Sequence, residues 1–403
     1  MTVRFSSRHP QRIIFAACLS LIPATFTPAI AAEPADSGAS NIEVQAVPAD
    51  GVLVGQEKTN QVIYVDSRAG SDSNIGTFGT PVRTITQAIA NVRPGMVIQL
   101  APGTYSAETG EQFPLEIPQG VTLRGSETSR GQGVEIVGGG RFLSRTQAGQ
   151  SVAIVLGQGA QAKGITVSNP NTRGTGIWVE GVAATVTSST LSGSHREGLF
   201  MAGNADVTVQ NSIFYQNGGN GIAVTKGSRG LISGNVFEST GYGIAIGDRA
   251  RPTLQNNRII NNRDGVIING FAQPILRGNT IENNQNDGVV VIGDAVPDLG
   301  SAGSPGGNQI QGNGRNAVFN ATRNQIQFPF YGNTIDGPAP EQVASSPAPA
   351  PFESSVPAPA PQGSSPGDII PVIETVPAQD STVQDNTEQD SGNDAADNGG
   401  WIQ

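Results

Sequence analysis

Apolar residues recur along the middle of the chain in a short phrase that a glycine opens. Within a β-strand, the second and fourth residues of this phrase would face one side and the third residue the other. The glycines of six copies are 22, 23, 22, 22 and 23 residues apart. The copies are Gly176-Ile177-Trp178-Val179, Gly198-Leu199-Phe200-Met201, Gly221-Ile222-Ala223-Val224, Gly243-Ile244-Ala245-Ile246, Gly265-Val266-Ile267-Ile268 and Gly288-Val289-Val290-Val291. Because one copy cannot bury its own apolar side chains, the copies are expected to stack in a solenoid.

A second column, of polar residues, repeats in step with the first. Its spacings are 23, 23, 22, 22, 29 and 25 residues, and an apolar residue follows two positions after most of its members. The column consists of Ser189, Ser212, Asn235, Asn257, Asn279, Asn308 and Asn333. Stacked Asn side chains can hydrogen-bond one another and the backbone, which satisfies polar groups that a tight turn buries. Together the two columns predict a right-handed parallel β-helix, an all-β fold, with roughly 22 residues per coil.

The first 31 residues have the composition of a secretory signal peptide. Three arginines precede an apolar run, and Ala29-Ile30-Ala31 follows it. The run is too short to span a bilayer, so no transmembrane anchor is expected after cleavage. We therefore expect the mature chain to be secreted, periplasmic or on the cell surface. Its one cysteine, Cys18, would be removed, which leaves neither disulfides nor a thiolate metal site.

The rest of the chain divides into three parts by composition. We expect residues 32–60 to be a flexible lead-in, 61–337 the β-helix domain, and 338–403 a Pro/Ala-rich and then acidic disordered tail. The formal net charge is −10, and residues 338–403 hold ten carboxylates with no lysine or arginine. This acidic balance disfavours nucleic acid as a partner.

A short amphipathic helix is predicted ahead of the first repeats. Apolar residues share one helical face at Ile85, Ala88, Ile89 and Val92. Thr84 and Gln87 have the spacing of a capping box, and Pro94-Gly95 would end the helix. Such a helix would cover the open end of the first coil, where bare strand edges would otherwise meet water.

Four motifs in this region carry a resemblance to a known family. They are Tyr64-Val65-Asp66, the loop Gly70-Ser71-Asp72, Thr84-Ile85-Thr86-Gln87-Ala88 and Leu100-Ala101-Pro102-Gly103-Thr104-Tyr105. With the repeats behind them, they resemble a bacterial secreted domain family of unassigned activity that leads into a pectin-lyase-like right-handed parallel β-helix. The resemblance covers most of 61–337 and implies the fold and an envelope or carbohydrate-associated role. It implies no catalytic residues, because a fold does not carry a function by itself.

Two aromatic residues occupy third positions of the glycine-led phrase, which should face outward. On adjacent coils, Trp178 and Phe200 would stack about 4.8 Å apart. An exposed aromatic pair is a platform for the apolar face of a sugar ring, so Trp178 and Phe200, with Glu180 beside them, are the predicted carbohydrate-binding residues. The alternative is that a long loop, residues 144–150, covers the pair.

The residue before each glycine forms a further column, in which Asp264 and Asp287 are neighbours. Two carboxylates about 5 Å apart are what a retaining glycosidase requires. A calcium ion bridging the pair is a lesser interpretation, since calcium prefers hard oxygen ligands, and no other metal or cofactor is expected. The favoured interpretation is structural, because the carboxylate of an Asp-Gly pair commonly caps nearby backbone N–H groups.

The cluster His195-Arg196-Glu197 supplies the remaining weak catalytic candidates, with a surface turn as the favoured interpretation. The function that the sequence favours is therefore a cell-envelope protein that binds or organises polysaccharide without turnover. Its expected partner is a polysaccharide or cell-envelope glycan. A polysaccharide lyase or glycoside hydrolase is the first alternative, and a structural or adhesive surface protein is the second.

Overall fold

The computed structural model describes residues 61–337, which form an all-β parallel β-helix, as the sequence predicts. Three long sheets run along the molecule, and most coils contribute one short strand to each sheet. The predicted signal peptide, lead-in and tail lie outside the described residues. Within 61–337, no helix is both long and apolar enough to cross a membrane.

The strands are short, as expected when every coil turns three corners. The first fourteen are β1 (Val62–Val65), β2 (Val97–Leu100), β3 (Gly103–Ser106), β4 (Leu115–Ile117), β5 (Thr122–Arg124), β6 (Val134–Val137), β7 (Gly140–Leu143), β8 (Gly149–Leu156), β9 (Ala160–Lys163), β10 (Thr166–Ser168), β11 (Gly174–Glu180), β12 (Ala183–Thr187), β13 (Thr190–Ser192) and β14 (Leu199–Ala202). The others are β15 (Asp206–Gln210), β16 (Ile213–Tyr215), β17 (Asn220–Val224), β18 (Arg229–Ser233), β19 (Val236–Glu238), β20 (Tyr242–Ile246), β21 (Arg251–Gln255), β22 (Arg258–Ile260), β23 (Asp264–Ile268), β24 (Ile275–Arg277), β25 (Thr280–Glu282), β26 (Val289–Gly293), β27 (Gln309–Gln311), β28 (Val318–Thr322) and β29 (Thr334–Ile335). One α-helix, α1 (Ile85–Asn91), and two 3-10 turns (Ala107–Thr109 and Arg323–Gln325) complete the described elements.

We number the sheets by the order in which a coil visits them. Sheet 1 contains β1, β2, β5, β9, β12, β15, β18, β21 and β24. Sheet 2 contains β3, β6, β10, β13, β16, β19, β22, β25, β27 and β29. Sheet 3 contains β4, β8, β11, β14, β17, β20, β23, β26 and β28, with β7 paired antiparallel to β8.

The glycine-led phrases lie in or directly before the strands of sheet 3. Their second and fourth residues enter the long central core, whereas Trp178 belongs to a separate outer cluster, so the predicted alternation is confirmed. The glycine is required by the close approach of successive coils. A Cβ atom on Gly176 would lie 2.7 Å from the carbonyl oxygen of Gly198, which is closer than real Cβ contacts come. The glycine therefore repeats with the coil because the backbones of successive coils come into contact at this position.

The predicted polar column is an Asn ladder at the turn from sheet 1 to sheet 2. The backbone N–H of Asn235 donates to Asn257 Oδ1 at 3.1 Å, and Asn235 Nδ2 donates to the same atom at 3.0 Å. Asn257 repeats this pair of bonds with Asn279. Each buried amide is thus satisfied by the next coil.

A second ladder, which we did not predict from the sequence, lies at the turn from sheet 2 to sheet 3. The N–H of Asn262 donates to Asn284 Oδ1 at 3.0 Å, and that of Asn284 donates to Asn313 Oδ1 at 3.1 Å. The doublets Asn261-Asn262 and Asn283-Asn284, 22 residues apart, were the available signal. This ladder fixes the corner at which each sheet 3 strand begins.

The predicted helix is present as α1 and packs on the first coil. Thr84 Oγ1 accepts from the N–H of Gln87 at 3.0 Å, as the capping pattern indicates. Glu111 adds a long-range cap, accepting from the N–H groups of Ile85 at 2.7 Å and Thr86 at 2.9 Å. Ile85 and Ala88 are buried in the central core. The helix thereby closes the apolar start of the solenoid.

Candidate functional site

The outer face of sheet 3 brings together most of the residues that the sequence singled out. We call the part formed by β11 and β14 the covered half, because a hairpin lies over it. We call the part formed by β20, β23 and β26 the open half. The two halves share one outward column of side chains, in which Trp178 and Phe200 give way to Ala245 and Ile267 along successive coils.

The covered half holds the aromatic pair. Trp178 and Phe200 are paired residues of adjacent strands, with ring centroids 4.2 Å apart and ring planes 5° from parallel. The stacking is as predicted, but the predicted exposure is wrong, since the two residues are only 1% and 3% exposed. The hairpin of β7 and β8 places Phe142 against Trp178, at a centroid distance of 5.8 Å. The alternative, that a segment covers the pair, is therefore correct. Because the rings are not exposed, the reason for predicting that they bind sugar no longer holds.

Glu180 anchors this cover. Its carboxylate accepts from Ser144 Oγ at 3.0 Å and from the N–H groups of Thr146 at 2.7 Å and Arg145 at 3.3 Å. Trp178 Nε1 also donates to it, at 3.3 Å. Partial burial acts to raise the pKa of Glu180, but the bonds from Thr146, Ser144 and Trp178 outweigh burial and lower it. In this structure Glu180, predicted to contact sugar, holds the loop that follows β7.

The pair Asp264 and Asp287 lies where the strands of the open half begin. Asp264 Oδ1 accepts from the N–H of Asp287 at 3.2 Å, and Asp287 Oδ1 accepts from the N–H of Asn316 at 3.1 Å. The carboxylates therefore cap backbone N–H groups, although Asp264 lies at the start of strand β23 and not in a turn. The donors belong to the next coil rather than to the same turn, because parallel stacking brings that coil within hydrogen-bond reach.

Arginine side chains occupy the other sides of these carboxylates. Arg315 Nη2 lies 2.8 Å from Asp287 Oδ2 and 3.7 Å from Asp264 Oδ1, so one guanidinium bridges the pair. Arg263 Nε lies 3.5 Å from Asp264 Oδ2, and its guanidinium carbon is 4.3 Å from the centre of the Tyr242 ring. A catalytic nucleophile or a calcium ligand here would first have to displace these contacts. Among residues 61–337, no group of three or more His, Cys, Asp or Glu side chains could hold a metal ion.

The cluster around His195 is divided between surface and interior. Glu197 is buried, accepts from Thr175 Oγ1 at 2.9 Å and faces Arg196 Nη2 at 3.3 Å. Burial raises the pKa of Glu197, while the charge of Arg196 and the bonds from Thr175 and Asn220 oppose the rise. His195 is exposed on a bend, as the surface-turn interpretation expects. The structure therefore does not combine these residues in one accessible constellation.

A concavity of about 450 Å³ lies at the opposite edge of the same face, in the turns that follow sheet 3 strands. Arg249 and Phe271 define its chemistry, since the guanidinium carbon lies 5.8 Å from the ring centre and Phe271 is 55% exposed. Lys226 Nζ approaches Asp248 Oδ2 at 3.5 Å. The lining residues are Asn204, Lys226, Gly227, Asp248, Arg249 and Phe271.

Our reading of the sequence missed this concavity. Its residues lie in turns, where the apolar period imposes no residue type, so the repeat carries no signal for them. The available signal was Phe271, a large apolar side chain in a turn whose equivalents on other coils are polar or small. A cation beside an exposed aromatic ring, in a space of this size, can receive part of a polar ligand that has an apolar face.

Comparison with known proteins places the chain in a family and finds solved structures with a similar fold. The chain belongs to the family described as "Protein of unknown function (DUF1565)", which matches residues 68–342. No curated protein sequence matches it significantly.

Solved structures with a similar fold include a pectate lyase, a lacto-N-biosidase and a mannuronan C-5 epimerase module. Pectate lyase Pel9A has 17% identity and a TM-score of 0.47, over 68% of this chain and 77% of that one. The lacto-N-biosidase of family GH136 from Eubacterium ramulus has 14% identity and a TM-score of 0.37, over 68% of each chain. The mannuronan C-5 epimerase AlgE6 A-module from Azotobacter vinelandii has 16% identity and a TM-score of 0.33, over 68% of this chain and 97% of that module. At these identities and scores the likeness concerns the fold alone.

Proposed function

We propose that this DUF1565 protein is a secreted or periplasmic cell-envelope β-helix that binds polysaccharide along the open half of sheet 3, without cleaving it. The observation that carries the proposal is the concavity at the strand-end edge of this face. Its ring, Phe271, is exposed rather than packed into the core, and Arg249 lies over it. An aromatic face with a polar neighbour suits a sugar, which presents an apolar ring face and polar hydroxyls.

The open half extends this contact surface along the solenoid. Ala245 and Ile267 are partly exposed at adjacent outward positions. Tyr242 begins β20, the strand that contains Ala245, so it lies at the edge of the face away from the concavity. A polymer lying along the axis would cross one coil about every 4.8 Å. It could therefore make repeated contacts on successive coils, as elongated solenoid surfaces do.

Binding without turnover is supported by the state of the acidic side chains. Asp264 and Asp287 are buried and engaged by Arg315 and by backbone N–H groups. Glu197 is buried among Thr175, Arg196 and Asn220. Accessible carboxylates at a defined separation are what glycoside hydrolysis requires, and these contacts work against that role.

The test is binding of the full-length chain to a panel of acidic and neutral polysaccharides, together with product analysis. We expect at least one polymer to be retained with no new unsaturated or reducing ends. Phe271→Ala should weaken that binding about fivefold or more, because it removes the exposed ring. Phe78→Ala is the matched control, since Phe78 is also exposed but lies in the segment between β1 and α1.

Each other outcome selects an alternative function. New unsaturated ends would indicate a polysaccharide lyase, and new reducing ends without unsaturation would indicate a glycoside hydrolase. Failure to retain any polymer would favour the structural or adhesive role. Equal loss of affinity in Phe271→Ala and Phe78→Ala would remove the concavity from the proposal.

A further inference from the structure

Cations and carboxylates are separated by depth at the strand-start edge of the open half. The side chains of Arg263 and Arg315 are 51% and 59% exposed, whereas those of Asp264 and Asp287, which they contact, are 7% and 3% exposed. The carboxylates therefore lie beneath the surface and the guanidinium groups lie on it. Although these pairs are close to neutral in sum, a ligand on this face would meet the positive partner first.

The strand-end edge also presents cations. Lys226 and Arg249 lie on adjacent coils, since the N–H of Arg249 donates to the carbonyl of Lys226 at 2.8 Å. Lys226 approaches Asp248, but the ion pairs within the part of the chain that the structure describes do not include Arg249. Its guanidinium instead lies over Phe271, which leaves its N–H donors available to a ligand.

The cations of the strand-start edge follow the axis of the solenoid. The N–H of Asn286 donates to the carbonyl of Arg263, and the N–H of Arg315 donates to the carbonyl of Asn286, each at 2.8 Å. The backbones of Arg263 and Arg315 are therefore two coils, or about 10 Å, apart. Both guanidinium groups nevertheless approach the Asp264 carboxylate, Arg263 Nε at 3.5 Å and Arg315 Nη2 at 3.7 Å. They therefore form one cluster of exposed positive charge above Asp264.

We propose that the ligand of the open half is a carboxylate-bearing, uronate-type polysaccharide, whose chain runs along the solenoid from Lys226 and Arg249, which follow β17 and β20 at one edge, to Arg263 and Arg315, which precede β23 and β28 at the other. This inference rests on the proposed function and adds the chemical class of the ligand. Arginine suits this role because its planar guanidinium can donate two parallel hydrogen bonds to a carboxylate. Lys226 adds a compact positive charge that tolerates variation in ligand geometry.

A polysaccharide fits this surface better than a nucleic acid does. The chain has a net charge of −10, and nucleic acid binding depends on the neutralisation of many closely spaced phosphates. Here the exposed cations are few, and a carboxylate near the contacts repels a dense polyanion. A polymer with one carboxylate on each sugar places fewer charges on the face and adds apolar ring contact.

The test compares two polymers that differ only in charge, using the full-length chain. Polygalacturonate and its fully methyl-esterified form are titrated against the wild type, Arg249→Gln and Arg263→Gln. We expect the wild type to prefer the charged polymer, with a preference that falls as salt rises. Arg263→Gln should weaken binding of the charged polymer about threefold to tenfold and leave binding of the ester unchanged. Arg249→Gln, which also alters the neighbour of the Phe271 ring, should weaken binding of the charged polymer more than binding of the ester. Arg258→Gln is the matched control, because Arg258 is an exposed arginine on sheet 2.

Several results would overturn the inference. Equal binding of both polymers would leave the proposed function standing and reject the anionic class, whereas binding of neither would defeat both. Equally strong binding of a single-stranded oligonucleotide would show a generic polyanion surface. The acidic C-terminal segment is the remaining candidate occupant. If a full-length variant with amides at the six carboxylates of residues 380–397 bound polygalacturonate tenfold more tightly, that segment would be the occupant instead.

Discussion

The outward column of side chains on sheet 3 is buried in the covered half and partly exposed in the open half. In the covered half, Trp178 and Phe200 stack on each other and lie beneath the hairpin of β7 and β8. In the open half, Ala245 and Ile267 occupy the same outward positions and remain partly exposed, with arginines at the edge. Strand pairing is continuous through both halves, so the difference lies in the outward side chains and in the hairpin that covers only one half.

A large aromatic residue at an outward position can mark a place where another segment of the chain packs over the sheet, as readily as a ligand-binding site. Trp and Phe each bury roughly 150–250 Å² when packed, so exposing two of them side by side would leave a substantial apolar patch in water. Burial of such an area is worth several kcal/mol at about 25 cal/mol per Å². The hairpin of β7 and β8 removes this area from water, whereas Ala245 and Ile267 of the open half remain partly exposed.

The largest expected effect is on the covered half. Trp178→Ala should lower the free energy of unfolding by about 3–5 kcal/mol, because it removes a buried ring and leaves a cavity beneath Phe142. Urea unfolding followed by circular dichroism measures this change. Ile267→Ala, at the equivalent position of the open half, should cost about 1 kcal/mol, since its side chain is already partly in water. Similar costs at the two positions would contradict the distinction between the halves.

A smaller effect is expected at Glu180, the anchor of the cover. Because its folded pKa is lowered, the carboxylate stabilises the cover above its unfolded pKa, about 4.3, and this stabilisation is lost as pH falls through the folded pKa. Glu180→Gln should abolish that pH dependence and cost about 1 kcal/mol at neutral pH.

Acrylamide quenching of Trp178 fluorescence reports on this cover. The measurement uses a Trp401→Phe background, because the sequence contains only two tryptophans. Quenching in the parent chain should rise on acidification, and quenching in Glu180→Gln should already be high at neutral pH. Glu238→Gln is the control and should behave like the parent, because the Glu238 carboxylate accepts only one exposed hydrogen bond, from Asn261. Quenching that stays low in both variants would mean that Glu180 does not hold the cover.

The smallest expected effect on stability is in the concavity. Phe271→Ala should change the free energy of unfolding by no more than about 0.5 kcal/mol, because more than half of the side chain is already in water. Denaturant titration, carried out alongside the binding assay, distinguishes a role of Phe271 in stability from a role in ligand binding. A cost above about 2 kcal/mol would show that Phe271 is a packing residue.

Much of the fold could be predicted because it depends on periods in the sequence. The glycine that opens each phrase marks the place where a Cβ would meet the next coil, as Gly176 does against Gly198. The Asn235 to Asn279 ladder follows from the same period. The second ladder, at Asn262 and Asn284, has an equally regular period, but it was hidden beside Asn and Gly residues that are common in any turn.

The candidate site was less predictable because it consists of departures from the period. The stacking of Trp178 on Phe200 follows from register alone, but their burial depends on Phe142, some 36 residues earlier in the chain. Arg315 contacts both Asp287 and Asp264 from a later coil. The spacing between the two aspartates in the sequence does not reveal that an arginine lies beside them. Contacts of this kind depend on which turns lie side by side.

The sequence by itself determined the parallel β-helix, the coil length, the capping helix and which side chains face inward, because these follow from repeated steric and hydrogen-bonding requirements within and between coils. The tertiary structure alone decided which outward side chains water can reach. Accessibility depends on segments that fold over the solenoid from elsewhere in the chain, and no local period encodes them. For this reason the aromatic pair lies under a cover, whereas the open half, with its exposed cations, remains accessible to solvent.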